Sequence, residues 1–145
     1  MFVVDTNVFI YAIDRKSKEH TQCRTLLETW RKDRLPWYTT WGILYEFLRV
    51  STHPRVFRNP LTLEQAWSLV KAILASPGLR MLSEGENHTE VAARTFKEIQ
   101  GLSGNLLHYA HIAILMREHG IKRIYTRDTD FHRFPFLEVI DPVNI

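Results

Sequence analysis

Met1-Phe2-Val3-Val4-Asp5-Thr6-Asn7 is a short apolar, β-branched run that stops at a carboxylate. Val8, Phe9, Ile10 and Tyr11 follow at once, so the stretch reads as a buried strand feeding a helix that Thr6 or Asn7 can cap. Asp5 then stands at the carboxyl tip of the strand. Ligands of open parallel sheets sit in the crevice outside such tips, which makes a carboxylate there a candidate for chemistry. An acid on the surface of a turn, or one that caps the helix, is an equally good reading of Asp5 taken alone.

Working outward, the chain alternates strands and helices. Glu19 to Lys32 places Cys23, Leu26, Leu27 and Trp30 at near-helical spacing. Leu35 to Thr40 reads as a strand, with Pro36 near its start, and Thr40 can cap a helix that ends before Pro54. The basic stretch from Arg49 to Pro60 reads as a loop, punctuated by Pro54 and Pro60. Thr62 and Gln65 then form a capping box for a helix that stops at Pro77-Gly78. Leu79 to Leu82 is a short strand, Asn87 begins a helix that ends before Gly101, and Asn105 to His119 is a largely apolar helix closed by Gly120. Ile121 to Thr126 is a further strand that delivers Arg127-Asp128-Thr129-Asp130, and Leu137 to Ile140 reads as an edge strand. This order predicts a three-layer α/β/α fold with a mostly parallel central sheet, as a single domain over residues 1–145.

Composition narrows the class. A chain of 145 residues can bury about 70% of the surface its unfolded form would expose, and the single Cys23 excludes an internal disulfide. No apolar run approaches the ~20 residues of a membrane span, and the N-terminus lacks the basic and long apolar regions of a signal peptide. The expectation is a soluble cytoplasmic protein with no membrane partner. A net charge of +3 is permissive of a polyanion. Its distribution says more, because Phe47 to Leu63 holds no acid while Arg49, Arg55 and Arg58 are present.

Right-handed crossovers bring strand tips to one edge, where Asp5, Asp128 and Asp130 would converge. Glu46 joins them from the helix after the second strand. At 100° per residue it falls at the margin of the apolar face formed by Ile43, Leu44, Phe47, Leu48 and Val50. There it either reaches solvent or points into a cleft. Two carboxylates about 4 Å apart repel by roughly 4 kcal/mol at an effective dielectric near 20. A cluster of them must protonate, pair with a basic side chain or hold a divalent metal, and oxygen-only ligands favour Mg2+ or Mn2+.

These pieces together resemble a PIN domain of the VapC toxin type. The resemblance rests on Asp5-Thr6-Asn7, Glu46 with Phe47-Leu48-Arg49, Ser51 to Phe57, Gly104-Asn105-Leu106 through Ala113, and Thr126 to Phe131, in that order along nearly the whole chain. It implies a Mg2+-dependent (or Mn2+-dependent) ribonuclease, the toxin of a toxin–antitoxin pair, homodimeric and inhibited by a cognate antitoxin. Carried over by position, Asp5, Glu46 and Asp128 are catalytic and metal-binding acids, and Asp130 is a supporting acid. Asn7 and Thr126 are polar groups behind them, and Arg49, Arg55 and Arg58 contact RNA. The sequence departs from the family at Tyr109, which stands where an aspartate is normal. A phenol with an ordinary pKa of about 10 is neutral at pH 7 and replaces no charge. The departure implies weakened metal affinity or a single surviving metal site. It also sustains an alternative function, an impaired PIN domain that only binds RNA or an antitoxin. His108 and His111, at i, i+3, lack a third ligand in the sequence and are set aside as a metal site.

Overall fold

A computed structural model describes all residues, 1–145. Five strands of three residues each, β1 (Phe2–Val4), β2 (Trp37–Thr39), β3 (Leu79–Met81), β4 (Arg123–Tyr125) and β5 (Glu138–Ile140), form one sheet in the order β3-β2-β1-β4-β5. Every pairing is parallel, so the sheet is wholly parallel where the sequence predicts mostly so. Six α-helices connect them: α1 (Thr6–Ile13), α2 (His20–Lys32), α3 (Trp41–Ser51), α4 (Leu63–Leu74), α5 (His88–Glu98) and α6 (Leu106–Glu118). A 3-10 turn spans Thr129–Arg133 between β4 and β5.

The chain moves from β1 outward through β2 to β3, then crosses back to β4 on the other side of β1. Right-handed crossovers in opposite directions place their helices on opposite faces. Accordingly α1 packs on α2 and α3, α3 packs on α4, and α5 packs with α6. This is the three-layer α/β/α arrangement the alternation predicts. The order reverses between β1 and β4, so the crevice of an open α/β sheet lies at the carboxyl tips of those two strands.

Val3, Val4, Ile124 and Trp37 are fully or almost fully buried in the sheet, and Phe9, Phe47 and Val70 seal it from the helices. Phe2 and Trp30 pack with ring centroids 5.0 Å apart, and Trp30 lies 4.8 Å from Tyr125, so aromatic contacts fix α2 against the strands. Thr40 caps α3 through its hydroxyl, which accepts from the Ile43 N–H at 3.0 Å, and the Thr62–Gln65 capping box forms. Asn87 and Asn105 precede their helices without a side-chain cap. α3 ends at Ser51, close to the end predicted before Pro54, so Arg49 lies in its last turn and the loop begins only after it.

Gly78 does more than end a helix. Its carbonyl accepts from the Trp37 N–H at 3.0 Å, and a Cβ there would collide with the Leu35 backbone carbonyl oxygen. Backbone cannot rotate away as a side chain can. Gly78→Ala should therefore destabilise the fold by roughly 1–3 kcal/mol, measured by denaturant unfolding. An unchanged midpoint would show that the β2–β3 approach is looser than described.

Candidate active site at the tips of β1 and β4

Both strand tips end in an aspartate that caps the next turn of the chain. Asp5 Oδ1 accepts from the Thr6 N–H at 2.8 Å at the start of α1, and Asp128 Oδ1 accepts from the Asp130 N–H at 3.0 Å at the start of the 3-10 turn. The cap of α1 is thus Asp5 itself, not Thr6 or Asn7. Thr6 turns instead to α3, where its hydroxyl donates to the Ile43 carbonyl at 3.1 Å.

One hydroxyl joins the tips. Thr126 Oγ1 donates to Asp5 Oδ2 at 2.8 Å and accepts from the Asn7 side-chain amide at 2.8 Å and from the Asp128 N–H at 3.0 Å. Its single donor and both acceptor sites are used. Asn7 also donates to Asp5 Oδ2 at 3.1 Å, and its Oδ1 accepts from the Arg127 N–H at 3.1 Å. The Arg127 side chain leaves the site to pair with Glu19 at 2.7 Å and Asp141 at 3.2 Å. Sequence reading missed this Arg127–Glu19–Asp141 trio, and no local signal could reveal it, since the partners come from opposite ends of the chain.

Burial sets the charge state of Asp5. Desolvation pushes its carboxyl from 3.8 to about 6, the hydrogen bonds from Thr126 and Thr6 oppose that rise, and the negative fields of Asp128 and Glu46 add to it. Glu46 is the more solvated acid. Its two oxygens accept from Arg49 at 2.9 and 2.6 Å, and that partner holds its carboxyl below the usual range. Asp130 is half-buried, with its own carboxylate 3.5 Å from Arg133. Tyr109 donates its hydroxyl to Asp128 Oδ2 at 2.7 Å, which together with burial raises its pKa, and its ring meets Phe131 edge-on at 5.1 Å. Arg55 and Arg58 are exposed on the loop beyond α3.

The structure therefore brings Asp5, Asn7, Thr126, Asp128 and Tyr109 into one hydrogen-bonded centre, with Glu46 within electrostatic reach and engaged by Arg49. Arg55, Arg58 and the Asp130 carboxylate lie outside those bonds. His108 is exposed, and His111 pairs with Glu84 at 2.6 Å, away from this centre. No three His, Cys, Asp or Glu side chains form a ready-made cage for an ion. The donor set nevertheless fits Mg2+, which commonly takes one or two carboxylates and fills its remaining positions with water.

The raised Asp5 carboxyl fixes the sign of a pH effect. Between the unfolded value of 3.8 and the folded value of about 6 the native state holds a proton that the unfolded chain has lost. Stability is therefore favoured at low pH and falls as pH rises through 6. In EDTA, the protein should gain on Asp5→Asn by up to ~3 kcal/mol as pH is lowered from about 7 to about 4, followed by urea unfolding. Parallel stability curves would contradict the burial of an ionisable Asp5.

Comparison with known proteins agrees with this architecture. The family model described as PIN domain matches residues 2–137. Ribonuclease VapC48 of Mycobacterium tuberculosis is 32% identical over 138 residues, 95% of this chain and 94% of that protein. Ribonuclease VapC43 of the same organism is 34% identical over 144 residues, 99% of this chain and 97% of that protein. The crystal structure of Mycobacterium tuberculosis VapC20, a Sarcin-Ricin loop cleaving toxin, superposes with a TM-score of 0.68 at 21% identity, covering 97% of this chain and 100% of that one. VapBC2 from Rickettsia felis, solved with a promoter DNA fragment, gives 0.67 at 20% identity and covers 96% of each chain. With a family model spanning its sheet and its acidic centre, and relatives matched along nearly their full length, the chain belongs to the PIN-domain family, in its VapC branch.

Proposed function

We propose that this chain is a divalent-cation-dependent ribonuclease, the toxin of a toxin–antitoxin pair. The observation that carries the reading is the pairing of Asp5 and Asp128 through Thr126 at the switch point of the sheet. The full-length relatives named ribonucleases support the reaction class. Solved VapBC and FitAB assemblies of similar fold support an antitoxin partner. A homodimer and a cytoplasmic location follow from the same resemblance, and no helix is long and apolar enough to cross a membrane.

Asp5, Asp128 and Glu46 would hold Mg2+ or Mn2+. Such an ion supplies Lewis acidity toward the scissile phosphate and an acidified water as nucleophile. Thr126 and Asn7 orient the Asp5 carboxylate, and Thr126 holds Asp128 through its backbone N–H, so the geometry of the pair is set before RNA arrives. Asp130 supports Asp128 through its backbone N–H. Arg49, Arg55 and Arg58 would contact the phosphate backbone, and in-line attack by water leaves 5′-phosphate and 3′-hydroxyl ends. Tyr109 would limit the centre, because a neutral phenol bonded to Asp128 Oδ2 supplies no further negative charge for a cation.

A reading in which the chain only binds RNA or an antitoxin draws on that Tyr109 contact alone. One experiment separates the two. The purified, antitoxin-free protein should cut RNA with Mg2+ or Mn2+, and should stop in EDTA and in Asp5→Ala, a loss of at least ~100-fold for removal of a group that positions the reacting atoms. Tyr109→Asp should raise the rate and the number of Mn2+ ions bound in calorimetry. An inert protein with an active Tyr109→Asp variant would favour the binding-only reading, and inert proteins throughout would end the enzyme proposal.

A further inference from the structure

Three large aromatic side chains are left in solvent on one side of the molecule. Trp41 is 44% exposed, Tyr45 65% and Trp67 39%. Trp41 and Trp67 lie nearly parallel, 20° apart with centroids at 6.4 Å, and Tyr45 is 6.3 Å from Trp41. They bridge α3 and α4, which pack on each other. Nothing in the core requires them there, and exposed aromatics grouped in this way mark a surface that binds something.

The charges around them say what. On α3, Trp41, Tyr45 and Arg49 follow at i, i+4 and i+8 down one exposed line, and on α4 Leu63, Trp67 and Lys71 do the same. Each helix thus presents an apolar or aromatic start and a cation one or two turns on, Lys71 on α4 and, on α3, Arg49, which Glu46 shares. Beyond α3 comes the acid-free stretch to Leu63 with its exposed Arg55 and Arg58. Aromatic faces flanked by arginine and lysine suit a single-stranded polyanion whose bases can stack.

Position ties this platform to the acidic centre. Trp41 directly follows Thr40 at the tip of β2, and the first turn of α3 is bonded to Thr6, the residue after Asp5. Glu46, whose field reaches Asp5, adjoins Tyr45 in sequence. The start of α3 and the acidic centre thus share the carboxyl edge of the parallel sheet.

We propose that Trp41, Tyr45 and Trp67 form a stacking platform for unpaired bases of the RNA that flank the cleaved bond. This rests on the ribonuclease reading and adds a preference for single-stranded substrate at this face. The test is fluorescence anisotropy with a labelled single-stranded RNA of about 12 nucleotides, in EDTA so that no cleavage occurs. The protein should bind it and its tryptophan emission should be quenched. Trp41→Ala and Tyr45→Ala should each weaken binding by roughly tenfold, while Trp41→Phe and Tyr45→Phe keep most of it. A duplex of the same sequence should bind more weakly and respond little to these changes.

Melting temperatures within a degree or two of the parent would show that the variants fold. Unchanged affinity for the single strand in both alanine variants overturns the platform. So does a loss of dimer in sedimentation with RNA affinity intact, which would assign the face to a second copy of the chain. Failure of the ribonuclease reading is seen separately, as absent cleavage with Mg2+ by a protein that still binds RNA through these residues.

Discussion

The hydroxyl of Thr126 is the point on which the acidic centre depends. It has one proton to give and two lone pairs to receive, and Asp5, Asn7 and the Asp128 backbone take all three. Two strands that are far apart in sequence are neighbours only because the chain reverses direction across the sheet between β3 and β4. Their parallel register, Val4 opposite Tyr125, then brings the residues just past each strand within hydrogen-bond distance. Replacing that hydroxyl would leave the Asp128 N–H and one hydrogen of the Asn7 amide without this acceptor at a part-buried site, a penalty of at most about 1–3 kcal/mol for each, while the other amide hydrogen keeps Asp5.

The same network holds a cost. Asp5 is almost fully enclosed and carries two other acids in its field, so its ionised form is disfavoured without a counter-charge. A carboxyl raised by burial at a strand tip costs stability, and carboxyls of this kind cluster at functional sites, which supports the cation-site proposal. Glu46 shows the opposite solution. It is solvated and takes its counter-charge from Arg49 three residues along the same helix. Exposed pairs of this kind contribute little to stability and are readily exchanged, so Glu46 is free to respond when a cation or a phosphate competes for either partner.

Much of this was legible in the residues. Short β-branched runs that stop at acids marked the strand tips, and alternation with amphipathic helices gave the layers and the parallel sheet. What could not be read was any bond spanning the chain. The Asp5–Thr126 contact joins residues 121 positions apart, and the Arg127 side chain follows Glu19 and Asp141 away from the aspartate beside it. Local rules also competed with one another. Thr6 and Asn7 are good caps by composition, yet Asp5 caps α1 because Thr6 is drawn to Ile43 and Asn7 to Thr126. Tryptophans are usually core residues, and Trp30 and Trp37 are, whereas Trp41 and Trp67 face outward because the apolar stripes of α3 and α4 point elsewhere. Periodicity placed Glu46 at the margin of the apolar face of α3 without showing that Arg49 closes on it.

If Asp5 and Asp128 form a cation site on this PIN-domain scaffold, the ion itself is the most direct probe. The measurement is Mn2+ binding by isothermal calorimetry to the metal-stripped protein at neutral pH, beside Asp5→Ala and Asp128→Ala. One Mn2+ per chain is expected in the parent and none in either variant, with a rise in melting temperature on adding the ion that the variants lose. Saturable Mn2+ binding that persists unchanged in both variants, or its absence from a folded parent protein, would contradict the assignment.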